Sequence, residues 1–532
     1  MMIKILRIEE SDNLIVALKD LKKGEVVEWK GECFTLVTDV HAKHKFATED
    51  LAVGGVVSMY GTAVGKATKP IKKGEVITTE NIKHYAAPVT LNTDTQYSWH
   101  APDVSSFKGR TFKGYVREDG RVGTANYWLI LPLVFCENRN VNKLTNALNE
   151  ALGYSSLSLK NYARQLVNKE KDALNDVKPF PNIDGVRAIS VTSGCGGAAS
   201  DCQSLSDVLA AYADHPNVAG ITVFSLGCEK TQIEMFKESL KKRNSNFNKP
   251  ALFYRQQDWA SEEEMMQDAL KSTLELLPKA NAYSRSDVPL SKLKIGVKCG
   301  GSDGFSGISA NPAMGIVSDY VVSLGGGSAL AEFPELCGAE GNIISRCDTV
   351  EKKQKFIDLM AKYEKVANFF DTSISDNPSW GNIKDGLITD AIKSTGAAKK
   401  GGNAPVAAVV DYCEPMADAG LSLVCTPGND VDAVTGQVAS GCNVVIFSTG
   451  LGTPTGNPIV PVIKIATNSE IAEHLSDMID FDCGPIIDGK PMHEVSMGLF
   501  ERVIDTASGD YKVKADRLEQ YDFLFWKRSL DL

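Results

Sequence analysis

The sequence predicts an α/β protein, with a small, mostly β amino-terminal module followed by α/β domains built on largely parallel sheets. Three observations lead there. A glycine-turn pattern repeats three times in the first 85 residues, a polar stretch follows it, and beyond residue 112 apolar runs alternate with amphipathic segments. A chain of 532 residues is also too long for one hydrophobic core, and domains of roughly 100–200 residues predict about three units. The expected division is 1–85 for the β module, 86–111 for a linker, 112–288 for an α/β domain and 289–532 for a carboxyl-terminal α/β domain.

The repeat reads Leu21-Lys22-Lys23-Gly24-Glu25-Val26-Val27, then Leu51-Ala52-Val53-Gly54-Gly55-Val56-Val57, then Ile71-Lys72-Lys73-Gly74-Glu75-Val76-Ile77. Each is a glycine turn feeding a β-branched strand. From Ala86 to about Arg110 the chain is rich in Thr, Ser, Asp and Asn, contains Pro88 and Pro102, and sustains no period, which reads as a linker. The remainder shows the pattern of parallel strands joined by helices. Strands are expected at 128–135, 186–192, 219–225, 251–254, 294–298, 406–410, 421–425, 444–448 and 459–465, and helices at 142–152 and 262–277. A polar stretch at 283–289 suggests the second boundary.

Composition excludes several classes. Hydrophobic residues at 43% and charged residues at 23% fit a folded globular chain and argue against disorder. The longest apolar stretch, 127–136, is interrupted by Pro132 and falls far short of the roughly 20 residues that span a bilayer. Glu9 and Glu10 arrive before a signal-peptide core develops, so export is not expected. Twelve cysteines without a CxxC pair suit neither a small disulfide scaffold nor a structural zinc site, and a reducing cytoplasm is the simplest setting. A net charge of −10 argues against nonspecific nucleic-acid binding while leaving room for a local cationic pocket. The expected partners are a small molecule and further copies of the chain in a symmetric homo-oligomer, with neither nucleic acid nor membrane.

Several expected strands run straight into cysteine, glycine and acidic residues: Cys136, Gly194-Cys195-Gly196-Gly197, Gly227-Cys228-Glu229 and Cys299-Gly300-Gly301-Ser302-Asp303-Gly304. Ligands bind at the carboxyl ends of parallel strands, where loops and helix amino termini converge. Taken singly, each cysteine reads first as a buried small hydrophobe. As a group they could ligate iron or an iron–sulfur cluster, although they lack a compact cluster spacing, and as nucleophiles they want a nearby base that the sequence does not offer. The run Gly194-Cys195-Gly196-Gly197-Ala198-Ala199 also meets a loose dinucleotide pattern, but with 45 glycines in the chain and no strand-end acid at the usual spacing it reads as a tight turn. Lys43-His44-Lys45 reads first as a solvated turn; its two cations would also lower the histidine pKa and attract a carboxylate.

Long ordered segments resemble the altronate/galactarate dehydratase family. They are Phe112-Lys113-Gly114-Tyr115 with Gly120-Arg121-Val122-Gly123-Thr124, Leu226-Gly227-Cys228-Glu229, and the run from Cys299-Gly300-Gly301-Ser302-Asp303 to Ala310-Asn311-Pro312. Pro427-Gly428-Asn429-Asp430, Phe447-Ser448-Thr449-Gly450 with Gly452-Thr453-Pro454, and Lys464-Ile465-Ala466-Thr467-Asn468-Ser469-Glu470 extend the match, and His44-Lys45-Phe46-Ala47 matches the family's small amino-terminal domain.

The resemblance implies an amino-terminal SAF domain of β-clip type, a catalytic region in 289–532, and removal of water from a sugar acid to give a 2-keto-3-deoxy acid. An altronate-type aldonate is the first expectation. The alternatives are a galactarate-type aldarate, a related loss of sulfite, or a noncatalytic sugar-acid sensor. It implies a divalent metal, ferrous iron first and manganese second, with an iron–sulfur cluster ranked below both. Candidate catalytic residues are then His44, Lys45 and Asp303; candidate substrate contacts Ser302, Asn311, Asn429, Thr449 and Thr453; candidate metal ligands Cys195, Cys228, Glu229 and Asp430. The chain departs from the family pattern at Val191 and Ser193, where histidine and tyrosine are usual, at Trp380 in place of proline, and at Leu451 in place of arginine. Loss of a guanidinium removes the best bidentate partner for a carboxylate, which leaves the substrate open.

Overall fold

The three glycines of the amino-terminal repeat adopt one backbone conformation, with φ of 84° at Gly24, 83° at Gly54 and 82° at Gly74. Only glycine enters that left-handed region without strain, so the same turn recurs and launches the strands Val26–Trp29 and Val56–Met59. The computed structural model describes residues 3–86, 97–154 and 178–529, together with 159, 162, 163, 166 and 167. Residues 87–96 of the expected linker lie outside them.

The amino-terminal module is a set of small antiparallel sheets, as the SAF resemblance implies. One of its cores, around Ile15, Phe34 and Phe46, is its own. Another is shared, because Leu14, Val57, Tyr60 and Val64 pack against Phe305, Ile308, Leu387 and Ile392 of the carboxyl-terminal domain. The described part of the expected linker is anchored too. Phe107 is buried against Tyr320 and Phe500, and Arg110 pairs with Glu501.

Beyond it stand two parallel sheets. The first orders Gly185–Ala188, Tyr127–Pro132, Val218–Ser225 and Ala251–Arg255, which in chain order is 2-1-3-4. Its strands alternate with the helices Asn138–Ala151, Ala199–Asp214, Ile233–Arg243 and Glu262–Asn281. The expected boundary at 283–289 proves to be structured: Arg285–Pro289 pairs antiparallel with Thr111–Val116 and closes the second domain on its own beginning. A β-strand there needs no apolar run, since only Val288 is buried.

The second sheet has seven parallel strands, ordered Val406–Val410, Gly420–Val424, Gly327–Leu330, Lys294–Cys299, Val444–Thr449, Val462–Ala466 and Phe481–Asp482. The chain starts at Lys294–Cys299, builds to one side, then returns to its other side with Val444–Thr449. That reversal is a topological switch point, and the crevice outside the carboxyl ends of those two strands is where such sheets bind ligands. Among the described residues, no helix is long and apolar enough to cross a membrane.

Candidate functional site

At the switch point the two loops are locked together, with Gly300 N donating to Ser448 O at 3.0 Å and Gly450 N to Gly301 O at 3.1 Å. The Thr449 hydroxyl oxygen accepts from the backbone N–H of Gly452 at 2.9 Å and of Thr453 at 3.1 Å, which folds the second loop back on itself. A cleft of about 370 Å³ opens here, lined by Cys299, Ser302, Glu335, Lys393, Asp430 and Leu451 among others. Gly300 is required at its floor, because a Cβ there would stand 2.5 Å from an Asp430 carboxylate oxygen.

Beneath the cleft lies a buried set of charges drawn from five segments. Cys299, Glu332 and Glu335 place a sulfur and two carboxylate oxygens within 4.8 Å of one another, the one such set among the described residues. Lys400 Nζ contacts all three, at 2.5 Å from Glu332, 3.1 Å from the Cys299 sulfur and 3.7 Å from Glu335. Lys298 joins Glu332 to Asp430, the latter at 2.8 Å, and Lys393 pairs with Glu335 at 3.1 Å. Three ammonium groups therefore face three carboxylates, and the array is balanced with Cys299 as a neutral thiol.

Each charge state has a cause. Burial pushes the Cys299 thiol up to about 11, against the pull of Lys400. Burial also lowers the Lys298 ammonium, but Glu332 and Asp430 outweigh it and hold the group well above the ordinary lysine range. Burial raises Glu332 and its neighbour Glu335 adds to the rise, whereas for Glu335 burial is overcome by Lys393, Lys298 and Lys400, and its carboxyl stays below the usual range. Glu332 moreover sits at φ 68°, a left-handed backbone that a non-glycine residue adopts at a cost of about 1–3 kcal/mol. Strain of this kind is held in place by the packing around functional groups.

The amino-terminal module meets the same loops. Lys43 Nζ lies 3.0 Å from the buried Asp303 carboxylate, His44 Nε2 is 3.0 Å from Lys384 O, and buried Lys45 donates to Gly386 O at 2.6 Å. A Cβ on Gly304 would come within 2.6 Å of Lys43 O, so glycine permits this approach.

Comparison with known proteins matches three family models in order: the altronate/galactarate dehydratase SAF domain over 3–85, the D-galactarate dehydratase/altronate hydrolase second domain over 114–281, and the D-galactarate/altronate dehydratase C-terminal domain over 290–530. Altronate dehydratase of Bacillus subtilis is 34% identical over 505 residues, covering 95% of each chain. The chain belongs to the altronate/galactarate dehydratase family. Altronate dehydratase of Escherichia coli is likewise 34% identical, over 95% of each chain, and its galactarate dehydratase (L-threo-forming) is 31% identical over 96% of this chain and 94% of its own. By class this family member is an enzyme, a hydro-lyase.

Within that family frame the residues singled out from sequence separate into three groups. Ser302, Asn429 and Asp430 line the switch-point cleft. Thr449 and Thr453 shape its loop, and Asn311 lies below it, buried, accepting from the Ser448 hydroxyl at 2.7 Å and donating to Gly396 O at 3.1 Å. His44, Lys45 and Asp303 form the domain junction beside the cleft rather than its lining. Cys195, Cys228 and Glu229 stand elsewhere, at the carboxyl edge of the four-stranded sheet, apart from Asp430 in the other domain. Glu229 is engaged in its own loop, accepting from the Ser225 hydroxyl and from Gly227 N at 2.7 Å. Sequence reading missed Lys298, Glu332, Glu335, Lys393 and Lys400. The one available signal was Glu332-Phe333-Pro334-Glu335, two acids bracketing a buried aromatic and a proline.

Proposed function

We propose that this enzyme dehydrates a sugar acid, an altronate-type aldonate first, to a 2-keto-3-deoxy acid in the switch-point cleft, with a divalent metal, ferrous iron first. The observation that carries the reading is the convergence of Cys299, Glu332 and Glu335 on one positive charge. Lys400 occupies that place; with Lys400 withdrawn and the Cys299 proton given up, a thiolate with two carboxylates would be a donor set suited to ferrous iron or manganese. Those three residues would hold the metal. Bound there, it would stabilise the enediolate that forms when the carbon beside the carboxylate loses its proton, and assist departure of hydroxide.

The chain's own groups do the rest. Asp430 exposes part of its carboxylate to the cleft and is held by Lys298 at 2.8 Å, which places a proton acceptor at the floor. Lys393, on the cleft wall beside Asn377, offers an ammonium to the substrate carboxylate. Ser302 and Asn429 present polar groups for substrate hydroxyls. Asp303, Lys45 and His44 act as positioning residues that fasten the amino-terminal module against the loop carrying Ser302. The relatives named altronate dehydratase support the aldonate as first choice.

The test is release of keto acid from a panel of aldonates and aldarates, with metal removed and restored. Turnover of altronate above galactarate, lost on chelation and regained with ferrous iron, is the expected result. Turnover of no sugar acid in metal-loaded protein would overturn the reading.

A further inference from the structure

The four-stranded sheet of the second domain has a switch point of its own, which the dehydratase cleft does not use. In its 2-1-3-4 order the reversal falls between Tyr127–Pro132 and Val218–Ser225, and ligands of such sheets bind outside the carboxyl ends of those two strands. Cys136 follows the first strand, Cys228 the second, and Cys195 follows the neighbouring Gly185–Ala188. Adjacent parallel strands lie about 4.8 Å apart, so three consecutive strands deliver three thiols to one edge.

Backbone contacts bring the three loops together. Phe135 N donates to Ser193 O at 2.9 Å, and Lys230 N to Gly194 O at 3.0 Å, so the Cys195 loop is stitched to the loops of both other cysteines. Gly194, at φ 113°, allows this, since a Cβ there would stand 2.7 Å from Val134 Cα. Of the twelve cysteines four are exposed, and three of the four are this set. A cysteine serving as a small apolar filler would be buried, as Cys202, Cys347 and Cys442 are.

A second feature points to an anionic ligand. The helices Asn138–Ala151, Ala199–Asp214 and Ile233–Arg243 begin two to five residues after the three cysteines, and none has a side-chain cap on its first turn. Elsewhere Ser261, Thr349, Thr389 and Asn429 cap helix starts with their side chains. Three helix amino termini without a side-chain cap thus follow the three cysteines, and the positive dipole ends there stabilise a negative group.

We propose that Cys136, Cys195 and Cys228 bind an iron–sulfur cluster at this edge. The sulfurs are not gathered within 4.8 Å of one another, as a single ion would require, and Cys299, Glu332 and Glu335 alone meet that spacing among the described residues. A cluster, whose ligands sit on different irons, suits the wider set. Each thiol gives up its proton and bonds one iron. Of a four-iron cluster one iron is then left without a cysteine, open to a water or a hydroxyl ligand.

Anaerobic reconstitution of the full chain with ferrous and ferric iron and inorganic sulfide tests this. The expected product binds acid-labile sulfide with a matching amount of iron beyond the single ion proposed at Cys299, and shows the broad visible absorbance of a cluster. That signal is lost in C136S, C195S and C228S and kept in C33S and C299S. Alkylation provides a check independent of the variants: in wild-type protein the three thiols react before reconstitution and are protected after it. Absence of bound acid-labile sulfide, a cluster retained in the three variants or lost in C299S, or no protection in wild type would overturn the proposal.

Discussion

Lys43 of the amino-terminal module reaches Asp303 of the carboxyl-terminal domain, nitrogen to oxygen, at 3.0 Å. The carboxylate is fully buried and the lysine about one-fifth exposed. Asp303 also accepts from the Ser306 hydroxyl at 3.0 Å and from Phe305 N at 3.2 Å. The pair ties the module to the loop that forms one wall of the cleft.

Removing the cation leaves a buried carboxylate short of its partner. Lys43→Met is expected to cost about 3 kcal/mol, the lower part of the range for breaking buried pairs, because Lys43 keeps some solvent. Urea unfolding measures it. A change within about 0.5 kcal/mol would mean that the junction contributes little.

Two glycines with opposite surroundings give a paired test of packing. A Cβ on Gly450 would stand 2.7 Å from both carboxylate oxygens of Asp303, whereas one on Gly341, in the helix Glu340–Ser345, would meet nothing within 4 Å. Gly450→Ala is expected to destabilise by about 1–3 kcal/mol, and Gly341→Ala to stabilise by about 0.5–1 kcal/mol. Thermal unfolding of the two variants should move in opposite directions.

Lys45 predicts a pH dependence. Burial lowers its ammonium from 10.5 to about 7, despite the nearby Asp303. Between those values the unfolded chain binds the extra proton, so this group's contribution to stability improves as pH rises from about 7 towards 10.5; its penalty is fully present below 7. Lys45→Met removes the slope. The stability of wild type relative to that variant should therefore increase between pH 6 and pH 9, roughly. A difference that stays flat would show that Lys45 is not buried as a charge.

The rim of the cleft sets a specificity test. Leu451 is 48% exposed and lines a pocket whose other side chains include Ser302, Glu335, Lys393 and Asp430. Leu451→Arg supplies a guanidinium where a second substrate carboxylate would lie. Its expected effect is a lower KM for an aldarate relative to an aldonate, by roughly 10-fold, with stability unchanged. Equal effects on both substrates would remove position 451 from specificity.

How much of this was legible in the sequence follows from what each element is made of. Val444-Val445-Ile446-Phe447 announces a buried strand, and Trp128-Leu129-Ile130-Leu131 does the same. Gly327-Ser328-Ala329-Leu330 does not, because small residues with no β-branching carry no strand signal, yet it sits beside Lys294–Cys299 and delivers Glu332. The switch-point loops were legible as Cys299 to Asp303 and as Asn429-Asp430. The lysines were not. Lys393 lies in a helix and Lys400 after it, about 100 residues from Cys299 in the chain, and their sequence neighbourhood reads as ordinary surface. Only the fold turns them inward. The charges around His44 were legible as well, and the backbone sets them at the contact between the amino-terminal module and the carboxyl-terminal domain.

Cys299, with Glu332 and Glu335, is the proposed holder of the metal in the cleft. Cys299→Ser changes one atom in a buried, well-packed position and tests it most directly. Bound iron and sugar-acid turnover are measured together on folded protein after anaerobic loading. Metal content is expected to fall and turnover to drop by roughly 100-fold or more, with the thermal midpoint little changed. A folded Cys299→Ser protein with wild-type iron and wild-type turnover would contradict it.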